Sequence, residues 1–381
     1  MARLGSGTGV MRVLHVRSGQ GLYGAERALL ALAEATPAPF LPRVASLVRP
    51  GRGDPLGEAA RRAGLEAVRI DAPGRVSLQA IPALARAVGR GGLLHAHDYK
   101  SLVLSIAAAP LARAVVVATF HGDTAASSAV RGYETLARYT ARWTAAVAAT
   151  SETLSTGIRA AAPRVPVHVI PNGIRIGTQP DETERKAARR ELDLPEEMPV
   201  VAFVGRLSPE KGPALLLQAL AGLDCVGLVV GDGPLRVALE EEAAGRPVRF
   251  LGFVEDVRAV LAAADLLCLP SLTEGLPLAA LEAMAAGCPV VASAVGALPE
   301  VLADGAGVLV PPGDAEALRG ALRHLASAPG EREKIVRTAR ARVEGRFSAE
   351  AMARAYVERI YMPALEAIRG VGASRPEFQP R

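Results

Sequence analysis

The chain has 381 residues, half of them apolar and 22% charged, with a formal net charge of +5. That composition excludes a disordered or collagen-like chain and is long enough for two domains, each with its own core. No apolar run reaches membrane-spanning length: the best stretch, 102–120, is broken by Pro110 and Arg113 and reads as a helix followed by a strand.

Residues 1–9 read as a loose leader without the apolar core of a secretion signal, and Met11 is an alternative start. Strands are expected in the first half at 10–16, 43–48, 92–96, 114–120, 143–150 and 167–170. Gly19, Gln20, Gly21, Leu22, Tyr23 and Gly24 follow the first strand and open a helix, which fits a dinucleotide-binding fingerprint literally. The acid expected after the second strand is replaced by Val48, Arg49, Pro50 and Gly51, so NAD is excluded while NADP stays open. The other reading is a loop whose amides, at Gly21 and Gly24, reach a diphosphate. His95, His97 and Asp98 follow a short strand, and the two-residue spacing points both rings to one face. A metal centre there needs a third ligand that the sequence does not place. His121, in TFHGD, sits at the carboxyl end of the 114–120 strand, as a substrate-side group or as a structural histidine.

The segment 171–184 is rich in turn formers and charge and reads as a linker. It divides the chain into domains 1–180 and 181–347, with a helical tail, 348–381, that crosses back to the first domain. Strands are expected in the second half at 200–204, 226–230, 248–253, 265–269, 289–293 and 307–310. Helices are expected at 213–221, 234–244, 256–263, 277–286 and 315–326, several opened by a proline whose missing N–H costs nothing there. This alternation predicts an α/β chain of two doubly wound parallel sheets, with ligands outside the strand carboxyl ends.

Three stretches of the second half carry candidate chemistry. VGRLSPEKG (204–212) follows a strand and presents Arg206 and Lys211 as a clamp for a diphosphate; Lys211 is one of four lysines against forty arginines. VVGDGP (229–234) is a glycine turn in which Gly231 lets backbone approach a ligand. PSLTEGLPLAALEAMAAGCP (270–289) places Glu274 in a loop of small residues and Glu282 eight positions later in a helix. Backbone N–H groups at that helix start favour an anion. Two carboxylates without a nearby histidine or further acidic cluster suit hydroxyls better than a metal, which points to a sugar or nucleotide sugar.

Cys225, Cys268 and Cys288 have neither disulfide nor zinc spacing and suit a reducing cytoplasm. Residues 1–180 carry 21 Lys/Arg against 10 Asp/Glu, a balance of +11, and residues 181–381 carry 23 against 29, a balance of −6. The basic half suits peripheral contact with an anionic membrane or an anionic acceptor, or is arginine on solvated helix faces. Aromatic residues are too few for a stacking platform, so nucleic acid is not an expected partner.

Together these pieces resemble the family 4 glycosyltransferases, retaining enzymes of the GT-B fold with two Rossmann-like domains facing across a cleft. The matching stretches are the glutamate pair with its GLP, VGRLSPEKG, VVGDGP, FLGFVED (250–256), VIPNGI (169–174), the HGD at His121 and YGAER (23–27). They run in the family's order along nearly the whole chain. The resemblance implies that Arg206 and Lys211 neutralise the donor diphosphate and that Glu274, with amides of Gly275, Leu276 and Leu278, holds the donor sugar. It further implies that Glu282 binds the nucleoside ribose, that His121 approaches the donor sugar, and that the loop from Gly21 to Gly24 covers the diphosphate and borders the acceptor. Two departures stand out: Tyr23 and Gly24 replace a frequent glycine pair, and Arg175 replaces the acid usual after PNGI. The implied reaction is retaining transfer from a nucleotide-diphosphate sugar to an unassigned hydroxyl, with no metal or cofactor. Alternatives are a nucleotide-sugar epimerase or hydrolase on the same fold, and an NADP-dependent oxidoreductase using the 19–24 turn.

Overall fold

In the computed structural model, which describes residues 10–19, 21–74, 77–122 and 135–366, the chain forms two units. One comprises Met1–Gly173 with Ala349–Arg381, the other Ile174–Ser348. The break after Gly173 falls inside the stretch read as a linker, but that stretch is not structureless to its end. A helix begins at Glu182 because Asp181 and Glu184 form a reciprocal capping box: the Asp181 carboxylate accepts from the Glu184 amide at 2.8 Å, and the Glu184 carboxylate accepts from the Asp181 amide at 3.0 Å.

The first unit is built on seven parallel strands: β1 (Met11–Ser18), β2 (Phe40–Val48), β3 (Glu66–Asp71), β4 (Leu93–Ala96), β5 (Val115–Phe120), β6 (Ala146–Ala149) and β7 (Val167–Val169). Their order is β3-β2-β1-β4-β5-β6-β7. The edge strand β3 is absent from the sequence reading, since EAVRID has no apolar run and buries only Ile70 fully. Leu14, Val16, Leu94 and Leu102 pack on one side of the sheet. On the other, Val13, Leu93 and Val117 pack against Tyr356, Ile360 and Tyr361 of the tail. The tail helix Ala349–Tyr356 passes into a π-helical turn, Val357–Tyr361. The two tyrosines at its ends lie with ring centroids 5.9 Å apart.

The second unit has six parallel strands: β8 (Val200–Val204), β9 (Val226–Val230), β10 (Val248–Gly252), β11 (Leu266–Leu269), β12 (Val290–Ser293) and β13 (Val308–Val310). They are ordered β10-β9-β8-β11-β12-β13. Strands buried on both faces need near-continuous Val, Leu and Ala, and all of β9, β11 and β12 is buried. In both sheets the first strand is internal, and the chain winds out to one side before returning to the other. The order therefore reverses between β1 and β4 and between β8 and β11, where the carboxyl ends leave a ligand crevice. Among the described residues, no helix is long and apolar enough to cross a membrane.

Candidate functional site

At the carboxyl ends of β8, β9, β11 and β12, the loops of the second unit brace one another through backbone contacts. The amide of Gly205 donates to Val230 O at 3.0 Å, that of Leu207 to Asp232 O at 3.0 Å, and that of Leu235 to Leu207 O at 3.0 Å. From the β11 loop, the amides of Leu272 and Thr273 donate to Glu210 O at 2.8 and 3.3 Å, and Gly275 O accepts from Ala297 at 3.0 Å. Three glycines make this approach sterically possible. Gly231 (φ 134°) lies against Gly205 O, Gly212 (φ 63°) against Pro270 O and Gly296 (φ 57°) against Glu274 O, each where a Cβ would collide with the carbonyl.

Lys211 and Glu274 meet inside this frame. Lys211 ends the 3₁₀ turn Pro209–Lys211 after β8, and Glu274 lies in the loop after β11, so the two flank the switch point. Lys211 Nζ is 2.7 Å from Glu274 Oε2, and Ser271 Oγ donates to Glu274 Oε1 at 2.8 Å. The Glu274 side chain is 5% exposed and that of Lys211 29%. Of the two cations read from sequence as a diphosphate clamp, Lys211 is held half-buried against a carboxylate, while Arg206 stands exposed on the same loop. Glu210 is held as an anion: the Ser208 hydroxyl at 2.6 Å lowers its pKa most, with Arg206 and Lys211 adding to the effect.

Beyond Glu274, Gly275 is partly buried, and Leu276 and Leu278 are 7% exposed. Leu278 opens the helix Leu278–Ala286, which has Pro277 at its N-cap and no side-chain cap. The Ala280 amide donates to Pro277 O at 3.2 Å, and a helix start with no side-chain cap favours an anion at its remaining N–H groups. Glu282 sits on this helix, partly buried. Ser271, Glu210 and Gly296 belong to the site and were not singled out from sequence. The legible signal for Ser271 was a hydroxyl three residues ahead of Glu274 in a loop of small residues.

A cavity of about 750 Å³ lies elsewhere in this unit, by the amino ends of β11 and β12. Its arginines close the core: Arg185 bonds Asp265 at 2.5 Å, Arg332 bonds the carbonyls of Leu325 and Ala326, and Arg340 those of Ala285 and Gly177.

In the first unit, the carboxyl ends of β1, β4 and β5 gather four histidines. The β1–β4 register places His15 beside His95, so the third imidazole that sequence could not supply is present, and one nitrogen each of His15, His95 and His97 lie within 4.8 Å of one another. Five of their six ring nitrogens are engaged in hydrogen bonds, and His15 Nε2 is buried with no partner among the described residues. His95 Nδ1 is 2.9 Å from the Tyr361 hydroxyl and its Nε2 is 2.7 Å from Thr119 Oγ1. His97 Nε2 is 3.0 Å from His15 Nδ1, and His97 Nδ1 is 3.0 Å from His121 Nε2. Burial keeps all four rings neutral, pushing His15 and His121 down to about 3 and His95 and His97 well below the usual histidine range.

The 19–24 turn lies beside this cluster, with Gln20 outside the described residues. Gly21 leaves room for the Tyr23 ring, whose Cε2 would be 2.6 Å from a Cβ there, and Gly24 begins the helix Gly24–Ala35. Glu26 accepts from the Tyr23 amide at 3.1 Å and from Arg17 Nε at 2.6 Å, while Arg17 Nη1 donates to His97 O at 2.6 Å. Arg17 and Glu26 thus tie the turn to His97, and only the helix-start position of Glu26 hinted at this. The three cysteines are buried, free thiols, with Cys225 raised to about 11 and Cys288 to about 12 by burial. In Cys268 burial raises the thiol further.

Residues 184–342 match the family model described as glycosyl transferases group 1, and residues 23–177 match that of glycosyltransferase family 4. The D-inositol 3-phosphate glycosyltransferase of Mycobacterium tuberculosis is 39% identical over 182 residues, covering 44% of this chain and 38% of that protein. The match therefore spans well under half the length of this curated relative. Among solved structures, Anabaena HepE in complex with UDP and glucose superposes with a TM-score of 0.81 at 23% identity, covering 92% of this chain and all of that one. Sucrose-phosphate synthase from Thermosynechococcus elongatus gives 0.73 at 22% identity, covering 96% and 100%, and WaaG, of lipopolysaccharide biosynthesis, gives 0.68 at 18%, covering 91% and 99%.

Proposed function

The chain belongs to the group 1, family 4 glycosyltransferases, and from that premise we propose that it moves a sugar from a nucleotide-diphosphate sugar to an acceptor hydroxyl with retention of configuration. The observation that carries this reading is the Lys211–Glu274 pair at the β8/β11 switch point, beside the uncapped start of the helix Leu278–Ala286. A diphosphate needs converging positive charge, which Lys211, Arg206 and the helix amides supply. A sugar ring needs acceptors fixed in place, which Glu274 supplies because Ser271 and Lys211 hold both its oxygens. Glu282 takes the ribose hydroxyls, and His121 serves the donor sugar.

Retention follows if the acceptor attacks from the face the diphosphate leaves. The anomeric carbon–phosphate oxygen bond breaks, the acceptor oxygen–carbon bond forms on the same side, and the departing phosphate oxygen takes the acceptor proton. Lys211 and Arg206 stabilise the negative charge that grows on the leaving group, and positioning supplies most of the remainder. An epimerase or hydrolase would use the same donor pocket and differ in leaving no glycosylated acceptor. The NADP reading is not favoured by either family match. Peripheral contact with an anionic membrane belongs to this proposal through the +11 balance of residues 1–180.

Calorimetry with UDP and GDP, followed by turnover of a panel of nucleotide sugars against polyol, polyol-phosphate and saccharide acceptors, tests the reading. One nucleoside diphosphate should bind, Arg206→Ala and Lys211→Ala should each weaken it about tenfold or more, and labelled sugar should appear on an acceptor. Binding indifferent to Lys211, Arg206 and Glu282 would sink the assignment.

A further inference from the structure

Folding alone selects large apolar side chains for the inside of a domain and leaves the outside to small and polar ones. The segment before β6 does the reverse. Residues 135–140 are helical and run into the 3₁₀ turn Ala141–Trp143. Ala137 and Ala141 are buried, while Leu136, Tyr139 and Trp143, which share the opposite face, are exposed, Tyr139 to 48% and Trp143 to 63%. Arg142 lies over both rings, its Cζ 5.5 Å from the Tyr139 centroid and 5.6 Å from that of Trp143. Its Nε donates to Tyr139 O at 2.9 Å, and its Nη groups have no hydrogen-bond partner among the described residues.

This segment belongs to a row. Because the strands are parallel and start nearly in register, their amino ends form one edge of the first sheet. Arg12, Arg90, Arg113, Arg142 and Arg164 stand exposed along it, at or just before the starts of β1, β4, β5, β6 and β7. The loops entering β2, β4, β5, β6 and β7 contain no Asp or Glu, and Glu66, at the start of β3, is paired with Arg43. Arginine beyond a helix end also answers the helix dipole, so the cations alone decide nothing. The apolar side chains among them do: Leu41 and Leu111 stand exposed on the same edge, Leu111 to 66%. A cavity of about 300 Å³ beside Leu111 is lined by Arg86, Arg90 and Arg113 and by no carboxylate. Arg113 follows the helix Tyr99–Ala112 at φ 48°, in the left-handed region where Gly89 and Gly287 follow theirs at 72° and 73°. A side chain is thus kept where glycine is favoured.

Guanidinium groups meet phosphate, and tyrosine and tryptophan rings favour the lipid headgroup level, where one end is apolar and the other wet. A protein partner wants a contiguous apolar core with charge at its rim. Here single apolar side chains are scattered among cations, which suits a headgroup layer. We propose that the amino edge of the first sheet is the face by which this chain lies on an anionic membrane, with Tyr139 and Trp143 at headgroup level and the arginine row on lipid phosphates. Its premise is the peripheral membrane contact proposed above, to which it gives a place.

Trp143 is the only tryptophan of the chain, so its fluorescence reads the contact without a label. The full chain is mixed with vesicles of phosphatidylcholine and phosphatidylglycerol in equal parts, and with vesicles of phosphatidylcholine alone. On the anionic vesicles the emission should shift to the blue, acyl-brominated lipid should quench it, and salt at about 1 M should release the protein. Tyr139→Ser should weaken vesicle binding about tenfold and Arg142→Glu about tenfold or more, with Trp143 still reporting in both. Trp143→Ala, followed by co-sedimentation, should weaken it about tenfold. These side chains are exposed, so thermal melting and nucleoside diphosphate binding should stay unchanged in all three variants. Arg52→Glu, which reverses one exposed charge at the carboxyl edge of the same sheet, should cost far less than Arg142→Glu. Equal losses in those two would overturn the proposal, because attraction would then be spread over the unit. Vesicle binding that leaves the Trp143 emission unmoved would keep the peripheral contact and remove this face; no vesicle binding would remove both. A blue shift that needs no lipid and grows with protein concentration would give the face to a second copy of the chain, and would also overturn the proposal.

Discussion

At the residue scale, Lys211 carries two roles that pull in different directions. Its ammonium compensates a nearly buried carboxylate, and the proposed function asks it to meet a diphosphate. Lys211→Ala should therefore cost stability as well as turnover, about 1–3 kcal/mol, because Glu274 keeps its desolvation penalty and loses its counter-charge. The double variant Lys211→Ala/Glu274→Ala should regain most of that stability while turnover stays at least about a hundredfold down. Urea denaturation of the two singles and the double, with matched kinetics, checks the cycle; additive stabilities would mean that the pair is uncoupled. Sequence made Lys211 legible as a charge after a strand and Glu274 as an acid in a small-residue loop. It could not show the two bonded, because their meeting depends on β11 lying next to β8, a pairing set by sheet order and not by local pattern.

At the scale of elements, the second unit was the more legible half. Its strands are continuous Val, Leu and Ala runs punctuated by glycine and proline, and β8 and β9 coincide with the expected spans to the residue. In the first unit β3 was missed because an edge strand carrying Glu66, Arg69 and Asp71 among its six residues buries too little to show an apolar run. The loop frame was half legible. Gly231 stood out as part of a turn, whereas Gly296, whose φ of 57° lets it sit under Glu274 O, belongs to no motif. Gly296→Ala should therefore displace the loop that holds Glu274, with a loss of about 2–3 kcal/mol and a donor affinity down more than about tenfold. Gly305→Ala is the control: its φ is 81° but nothing stands near its Cβ position, so it should cost only about 1 kcal/mol and leave affinity unchanged. Equal effects of the two substitutions would show that backbone conformation alone, and not the contact with Glu274, matters at Gly296.

At the scale of the molecule, the two units differ in what acid does to them. Five of the six histidines lie in the first unit, and His15, His95, His97 and His121 are held neutral there. Unfolded, each ring takes up a proton near pH 6.5, whereas folded His15 and His121 do so only near 3, so the unfolded chain binds more protons throughout that window. Stability of the first unit should be level above about pH 7 and fall as pH drops through 6.5, by about 1.4 kcal/mol per pH unit for each ring. The second unit holds only His324, exposed and paired with Glu331, and has no comparable acid-sensitive core. Acidification should thus unfold the first unit ahead of the second. The chain reports this unaided, because its single tryptophan, Trp143, and all six tyrosines belong to the first unit. Near-ultraviolet circular dichroism should collapse between about pH 6 and 4 while much of the far-ultraviolet helix signal persists. His15→Phe, which removes one of the titrating rings, should reduce the steepness of that loss. An aromatic signal that holds to pH 4, or one that disappears together with the helix signal in a single step, would mean that the buried imidazoles do not govern acid stability.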